Sequence, residues 1–196
     1  MNVRVMRANG EASRRRILDA ACEIAGERGY SNASISEISK RSGLPNSSIY
    51  WHFKDKDALL AAVIEDSYEQ WRADFGDPSG AEFDSAGAAI TRLHDSLANF
   101  PAFLRFGHLV ILEQRDEEVG ARTAFLRIRK DSLDEMARLY QKLTGCDRRV
   151  AKRLAGLSLA MVDGAFLARA AGEQGVGTDG FLARMLDACV AEELRR

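Results

Sequence analysis

The chain reads as an all-α protein of about nine helices, and three observations carry that reading. Apolar residues recur at helical spacing almost throughout. No segment alternates apolar and polar residues convincingly as a half-buried strand does. Breaks between the periodic segments carry glycine, proline or a capping side chain.

The elements follow in order. Residues 1–12 lack an apolar stripe and are expected as a flexible arm, with Arg4 and Arg7 free to enter a minor groove. A helix over residues 13–28 follows, capped by Ser13, with Ile17, Leu18, Ala21, Ile24 and Ala25 on one face. Arg14, Arg15 and Arg16 cluster at its predicted start. There they oppose the helix dipole, so a phosphate partner or a solvated face must account for them. Ser34 and Glu37 fit a capping box that opens a helix over residues 35–42. Gly43 supplies the left-handed residue at its end, and Pro45 suits the start of the next helix. That helix runs from Asn46 to Phe53, with Ile49 and Phe53 facing inward together.

Two short helices joined by a tight glycine-containing turn form a helix-turn-helix. The second helix would then enter a DNA major groove. Its outer arc carries Pro45, Asn46, Ser47, Ser48, Tyr50, Trp51 and His52, nearly all with hydrogen-bonding side chains. Asn46 is the candidate base reader, since asparagine pairs bidentately with adenine. Ser47 specifies more weakly. Ser34, Ser36, Ser48, Tyr50, His52 and Lys56 are candidate phosphate contacts.

Further on, a fourth helix covers Asp57 to Phe75, and the run Gly76-Asp77-Pro78-Ser79-Gly80 breaks the chain. Helices follow over residues 82–98 and from Pro101 to Gln114. A long helix is marked by Phe125, Ile128, Ser132, Met136, Leu139 and Leu143. Asp147 caps an eighth, reaching Ala171, with a stripe of Val150, Leu154, Leu157, Met161, Ala165 and Ala168. Residues 172–180 form a glycine-rich loop, and a ninth helix begins at Phe181.

The stretch from Gly43 to Leu60 resembles the signature of the TetR family of bacterial transcriptional regulators. Arg16-Ile17-Leu18-Asp19-Ala20-Ala21 and Gly26-Glu27-Arg28-Gly29-Tyr30 resemble that family's first helix and its end. The likeness is dense over residues 13–65. One departure is Asn46, where many members carry lysine, so a cation that grips phosphate is exchanged for a side chain that reads bases. The resemblance implies a helix-turn-helix DNA-binding domain over residues 13–56. It also implies a larger ligand-sensing and dimerisation domain over residues 57–196. The expected partners are a double-stranded DNA operator, a second copy of the chain, and a small-molecule effector that releases a repressor from a palindrome. A DNA-binding architectural module without ligand sensing is the alternative. By the same resemblance the last two helices form the dimer contact, through Leu154, Leu157, Met161, Phe181, Leu182, Met185 and Leu186. The middle helices surround an effector, with Trp71, Phe103, Phe106, Val110, Phe125, Met161 and Phe166 as walls. His108, Glu113 and Gln114 are its polar contacts.

Composition agrees with that organisation. The net charge of −1 comes from 28 Lys/Arg against 29 Asp/Glu, but residues 1–56 hold ten against six, leaving 18 against 23 for the rest. A basic amino-terminal section on an acidic body suits a module that meets DNA at one end. No apolar run is long enough for a membrane span, and residues 1–12 lack a secretory signal, so a cytoplasmic protein without membrane contact is expected. Cys22, Cys146 and Cys189 are far apart and form no C-x-x-C pair, which favours reduced packing residues, with a redox role for Cys146 as the lesser alternative. His52, His94 and His108 have no ligand-spaced companions, and nucleophile-elbow, P-loop and dinucleotide fingerprints are absent. No metal, no cofactor and no enzymatic activity are expected.

Overall fold

The computed structural model describes residues 3–76, 82–113, 117–173 and 180–195, with side chains from Asn9 onward. Among these residues every regular element is a helix. They are α1 (Val3–Asn32), α2 (Ile35–Ser42), α3 (Asn46–His52), α4 (Lys56–Phe75), α5 (Ala86–Ala98), α6 (Pro101–Leu112), α7 (Gly120–Thr144), α8 (Arg148–Ala170) and α9 (Phe181–Leu194). The all-α class and the nine helices agree with the sequence reading.

Two compact units are formed. The first comprises residues 1–70 and 100–127, the second residues 71–99 and 128–196. This differs from a single division at residue 57. The physical reason is a long-range crossing that periodicity does not reveal: α6 packs on α1, where an added Cβ at Gly26 would stand 3.0 Å from the Ala102 carbonyl oxygen. The helix-turn-helix therefore shares its core with α6 and the start of α7.

In the first unit, Ile17, Leu18, Ile24, Ile38, Ile49, Leu59, Leu60 and Ile64 are all almost wholly buried. Residues 3–12 are helical and continuous with α1, where a flexible arm was expected. Valine, methionine, arginine and alanine there all tolerate a helix, and no proline stops it. The side chains of Arg4 and Arg7 lie outside the described residues. Because α1 starts at Val3, Arg14 to Arg16 sit well inside the helix and are held by protein groups. Arg15 bonds Asp19 and Asp66, and Arg16 donates to the Ser42 carbonyl at 2.6 Å. Arg14 lies over the Phe53 ring at 5.6 Å and 3.9 Å from Asp66.

In α1, Gly29 adopts φ 77°, ψ 177°, so the helical path breaks there. The two amides beyond the break are taken by Glu113, which accepts from Tyr30 N–H at 3.2 Å and Ser31 N–H at 3.1 Å. At the other end of the same cluster, Asp57 accepts from the Gly120 N–H at 2.9 Å and from the Tyr30 hydroxyl at 3.0 Å. That carboxylate caps α7 five residues ahead of Phe125, the first apolar marker the sequence offered.

The second unit is built from α5, α8, α9 and the parts of α4 and α7 that fall in it. Ser85 caps α5, and Asp187 from α9 accepts from the Gly87 N–H at 2.8 Å and the Ser85 hydroxyl at 3.1 Å. An added Cβ at Gly87 would stand 2.4 Å from that carboxylate, so only glycine allows the approach. Arg129 and Asp163 join α7 to α8 through two hydrogen bonds, 3.1 and 2.7 Å. On α7 the buried side chains here are Ile128, Ala137 and Tyr140, while Met136, Leu139 and Leu143 are only half-buried. The core register is thus set by Tyr140, whose hydroxyl meets Ser158 at 2.7 Å; Ser158 in turn donates to the Leu154 carbonyl.

Candidate nucleic-acid interface

The turn between α2 and α3 is braced on several sides. Ser34 caps α2 by accepting from the Glu37 N–H at 3.2 Å, and its hydroxyl donates back to the Glu37 carboxylate at 3.1 Å. Arg28 from α1 pairs with the same carboxylate. Gly43 takes the left-handed conformation, φ 67°, and its N–H bonds Ser39 O. The Ser39 hydroxyl reaches across the turn to the Leu44 carbonyl at 2.7 Å.

On α3 only Ile49 is buried, and Phe53 just beyond it is also buried. Those two anchors point the rest of the helix outward. Pro45, Asn46 and Ser47 are exposed, Ser48 and His52 are half-buried, and Tyr50 and Trp51 are 55% and 76% exposed. A tryptophan that exposed is unusual unless it meets a partner. His52 stands edge-on to Trp51, centroids 4.5 Å apart. Burial and the nearby Arg14 guanidinium hold its pKa below the ordinary histidine value, which favours the neutral ring. Beside α3 lies a cleft of about 380 Å³, bounded on its far side by α1 at Asn9, Gly10 and Ser13.

The remaining phosphate candidates divide. Ser36 is exposed. Ser34 is occupied by the α2 cap in both its donor and acceptor roles. Lys56 opens α4, but its ammonium donates to the carbonyls of Tyr30 at 3.1 Å and Ser31 at 3.4 Å and lies over the Tyr30 ring. Both residues position the module in this structure. The capping box foretold this for Ser34, whereas nothing local indicated it for Lys56.

The other candidate sets are placed as follows. Of the effector residues, Phe103, Phe106, Val110 and Phe125 are buried in the first unit; Phe103 and Phe125 meet edge-on at 5.9 Å. Phe125 fills the space over Gly107, where an added Cβ would stand 2.1 Å from the ring. His108 is buried and bonds the Leu104 carbonyl, and Gln114 lies outside the described residues. Trp71, Met161 and Phe166 belong to the second unit, with Trp71 donating to the Ser96 hydroxyl at 3.0 Å. Of the dimer residues, Leu154, Leu182 and Leu186 are buried within their own unit and do not form surface contacts. Helical faces turn every 3.6 residues, so a single apolar stripe cannot serve both the inner core and an outer contact. Leu157, Phe181 and Met185 are exposed, as is Leu167, and Met161 is half-buried. Cys146 is buried, and the described residues hold no group of three or more metal-ligating side chains.

A capped, glycine-turned helix pair with an outward polar and aromatic second helix defines the chain as a helix-turn-helix protein. Residues 17–63 match the family described as bacterial regulatory proteins, tetR family. It is 31% identical over 110 residues to the HTH-type transcriptional regulator SrpR of Pseudomonas putida, covering 56% of this chain and 51% of SrpR. It is 29% identical over 110 residues to the uncharacterized HTH-type transcriptional regulator TtgW of the same species, covering 56% of this chain and 81% of TtgW. The match thus spans about half the length of SrpR. In fold the chain is similar to a TetR transcriptional regulator from Legionella pneumophila, with TM-score 0.75, 22% identity, and coverage of 88% of this chain and 94% of that one. No helix among the described residues is long and apolar enough to cross a membrane.

Proposed function

We propose that this protein is a sequence-specific DNA-binding transcriptional regulator, a repressor that works as a homodimer and leaves a palindromic operator when a small-molecule effector binds. The observation that carries the reading is α3 itself: a short helix pinned by Ile49 and offering Asn46, Ser47, Tyr50 and Trp51 to solvent. Asn46 would read a base edge, and Ser36, Ser47, Ser48, Tyr50 and His52 would hold phosphates and sugars. The match of residues 17–63 to the tetR family and the names of SrpR and TtgW support regulation of transcription. Dimerisation is supported by the exposed apolar surface of α8 and α9, where Leu157, Leu167, Phe181 and Met185 lie. At Gly156 and Gly164 on α8 an added Cβ would meet nothing within 4 Å, so a second helix has room to approach. Two-fold pairing would set recognition helices about 34–36 Å apart, one turn of duplex. The effector would act through its differential affinity for DNA-competent and incompetent states.

The test is selection of duplexes from a random pool by the purified full chain. The reading expects an inverted repeat whose half-site centres lie about 10 base pairs apart. It also expects that repeat to be preferred over a scrambled duplex at moderate salt. Recovery of no common sequence would overturn it.

A further inference from the structure

We infer that the cleft between α1 and α3 is a second DNA contact, in which Asn9 and Ser13 of α1 hold the sugar-phosphate strand running beside the recognition helix. This rests on the DNA-binding reading above and adds an element to it.

The lining has the required chemistry. Asn9 and Ser13 are four residues apart and share one face of α1. Ser47 and Ser48 face them from α3, with Trp51 and His52 one turn further on. Among the described residues no carboxylate lines the cleft to repel a phosphate. The side chains of Asn9, Ser13, Ser47 and Ser48 make no hydrogen bond among the described residues. Several cations elsewhere on this unit are already engaged by protein oxygens, namely Arg15, Arg16, Arg28, Arg41 and Lys56. Such unused neutral donors suit phosphate and sugar oxygens, the acceptors that take most protein–DNA hydrogen bonds. Gly10 leaves the α1 wall without a side chain beside the Trp51 ring.

Position argues for the same occupant. Four of the lining residues belong to the face of α3 that would enter the major groove, so the cleft continues that surface outward. A duplex strand bordering the groove passes beside any helix seated in it. Phosphate contacts of this kind fix register and carry no sequence information.

The experiment uses full-length Asn9→Asp and Asn9→Lys proteins, each checked for an unchanged melting temperature. Fluorescence anisotropy is measured across a salt series on a pool-selected duplex and on a scrambled one. Asn9→Asp should weaken both complexes about tenfold through like-charge repulsion. Asn9→Lys should tighten both and steepen the log–log salt slope by about 0.9. The ratio between the two duplexes should not change in either variant. If both variants bind like the parent while Ser47→Ala or Trp51→Ala weakens binding, the cleft lies off the DNA path and the inference falls alone. A parent protein that binds no duplex would overturn the functional reading together with it.

Discussion

Glu113 offers a sharp test of how the helix-turn-helix is held. Its carboxylate stands in for the helical acceptors lost at the Gly29 break, taking the amides of Tyr30 and Ser31 at 3.2 and 3.1 Å. Hydrogen bonds to a charged acceptor are worth roughly 1.5–3 kcal/mol each when buried. Glu113 is half-exposed, so solvent screening reduces the pair to about 1–2 kcal/mol in total. Glu113→Ala should therefore lower the melting temperature by about 2–8 °C for a chain of this size. Amide exchange resolves the cause. Protection at Tyr30 and Ser31 should fall by about tenfold, as expected for a local loss near 1.4 kcal/mol. Glu113→Gln, which keeps one oxygen and opposes the other amide with an NH₂, should fall between the parent and the alanine variant. Unchanged exchange at residues 30 and 31 in Glu113→Ala would refute the role given to this carboxylate.

Further outcomes are expected at three places in the structure. Ser158→Ala should cost about 1–3 kcal/mol in chemical denaturation, because it strands the buried Tyr140 hydroxyl. Tyr140→Phe should cost less, since Ser158 keeps its bond to the Leu154 carbonyl. In the parent, burial pushes Tyr140 up to about 12, so the phenol should stay protonated through the ordinary tyrosine range in a spectrophotometric titration. If the chain pairs through α8 as proposed, Leu157→Arg should shift sedimentation toward monomer without lowering helicity, because Leu157 is exposed on α8; sedimentation identical to the parent's would remove α8 from the interface. Hydrogen bonds from the Val150 and Arg149 amides hold Asp147 below its usual value of 3.8. A depressed folded-state pKa gives stability that is complete above the unfolded value and lost as pH falls through the folded one. Asp147→Asn, which keeps a capping oxygen, should flatten the loss of stability below pH 3.8, and an unaltered acid limb would contradict this.

Much of the fold was legible because its signals are local. The Ser34 cap, the Gly43 turn and the Asp147 cap are each written within a few residues of where they act and take the expected geometry, although the Glu37 carboxylate accepts from the Ser34 hydroxyl and not from its N–H. What the sequence concealed depends on distant partners. Lys56 looked like a free cation until its carbonyl acceptors on α1 came into view. The start of α7 at Gly120 needs Asp57, and the union of α6 with α1 needs Gly26 beside Ala102. Along α8 the stripe of Leu154, Leu157 and Met161 mixed two faces, because small residues such as Ala151, Ala155 and Ser158 make up the buried side. Hydrophobic size alone ranks leucine above alanine and so misplaces the core by about one residue per turn. The recognition helix was easier to read, since Ile49 and Phe53 are its only large aliphatic or phenyl side chains and both turn inward.

The central claim is that the outer face of α3 reads base edges. Repeating the duplex selection with Asn46→Ala measures that directly. Preference should relax at one position in each half-site while affinity for scrambled duplex stays near the parent's. Recovery of the parental sequence, with every position equally preferred, would contradict the account.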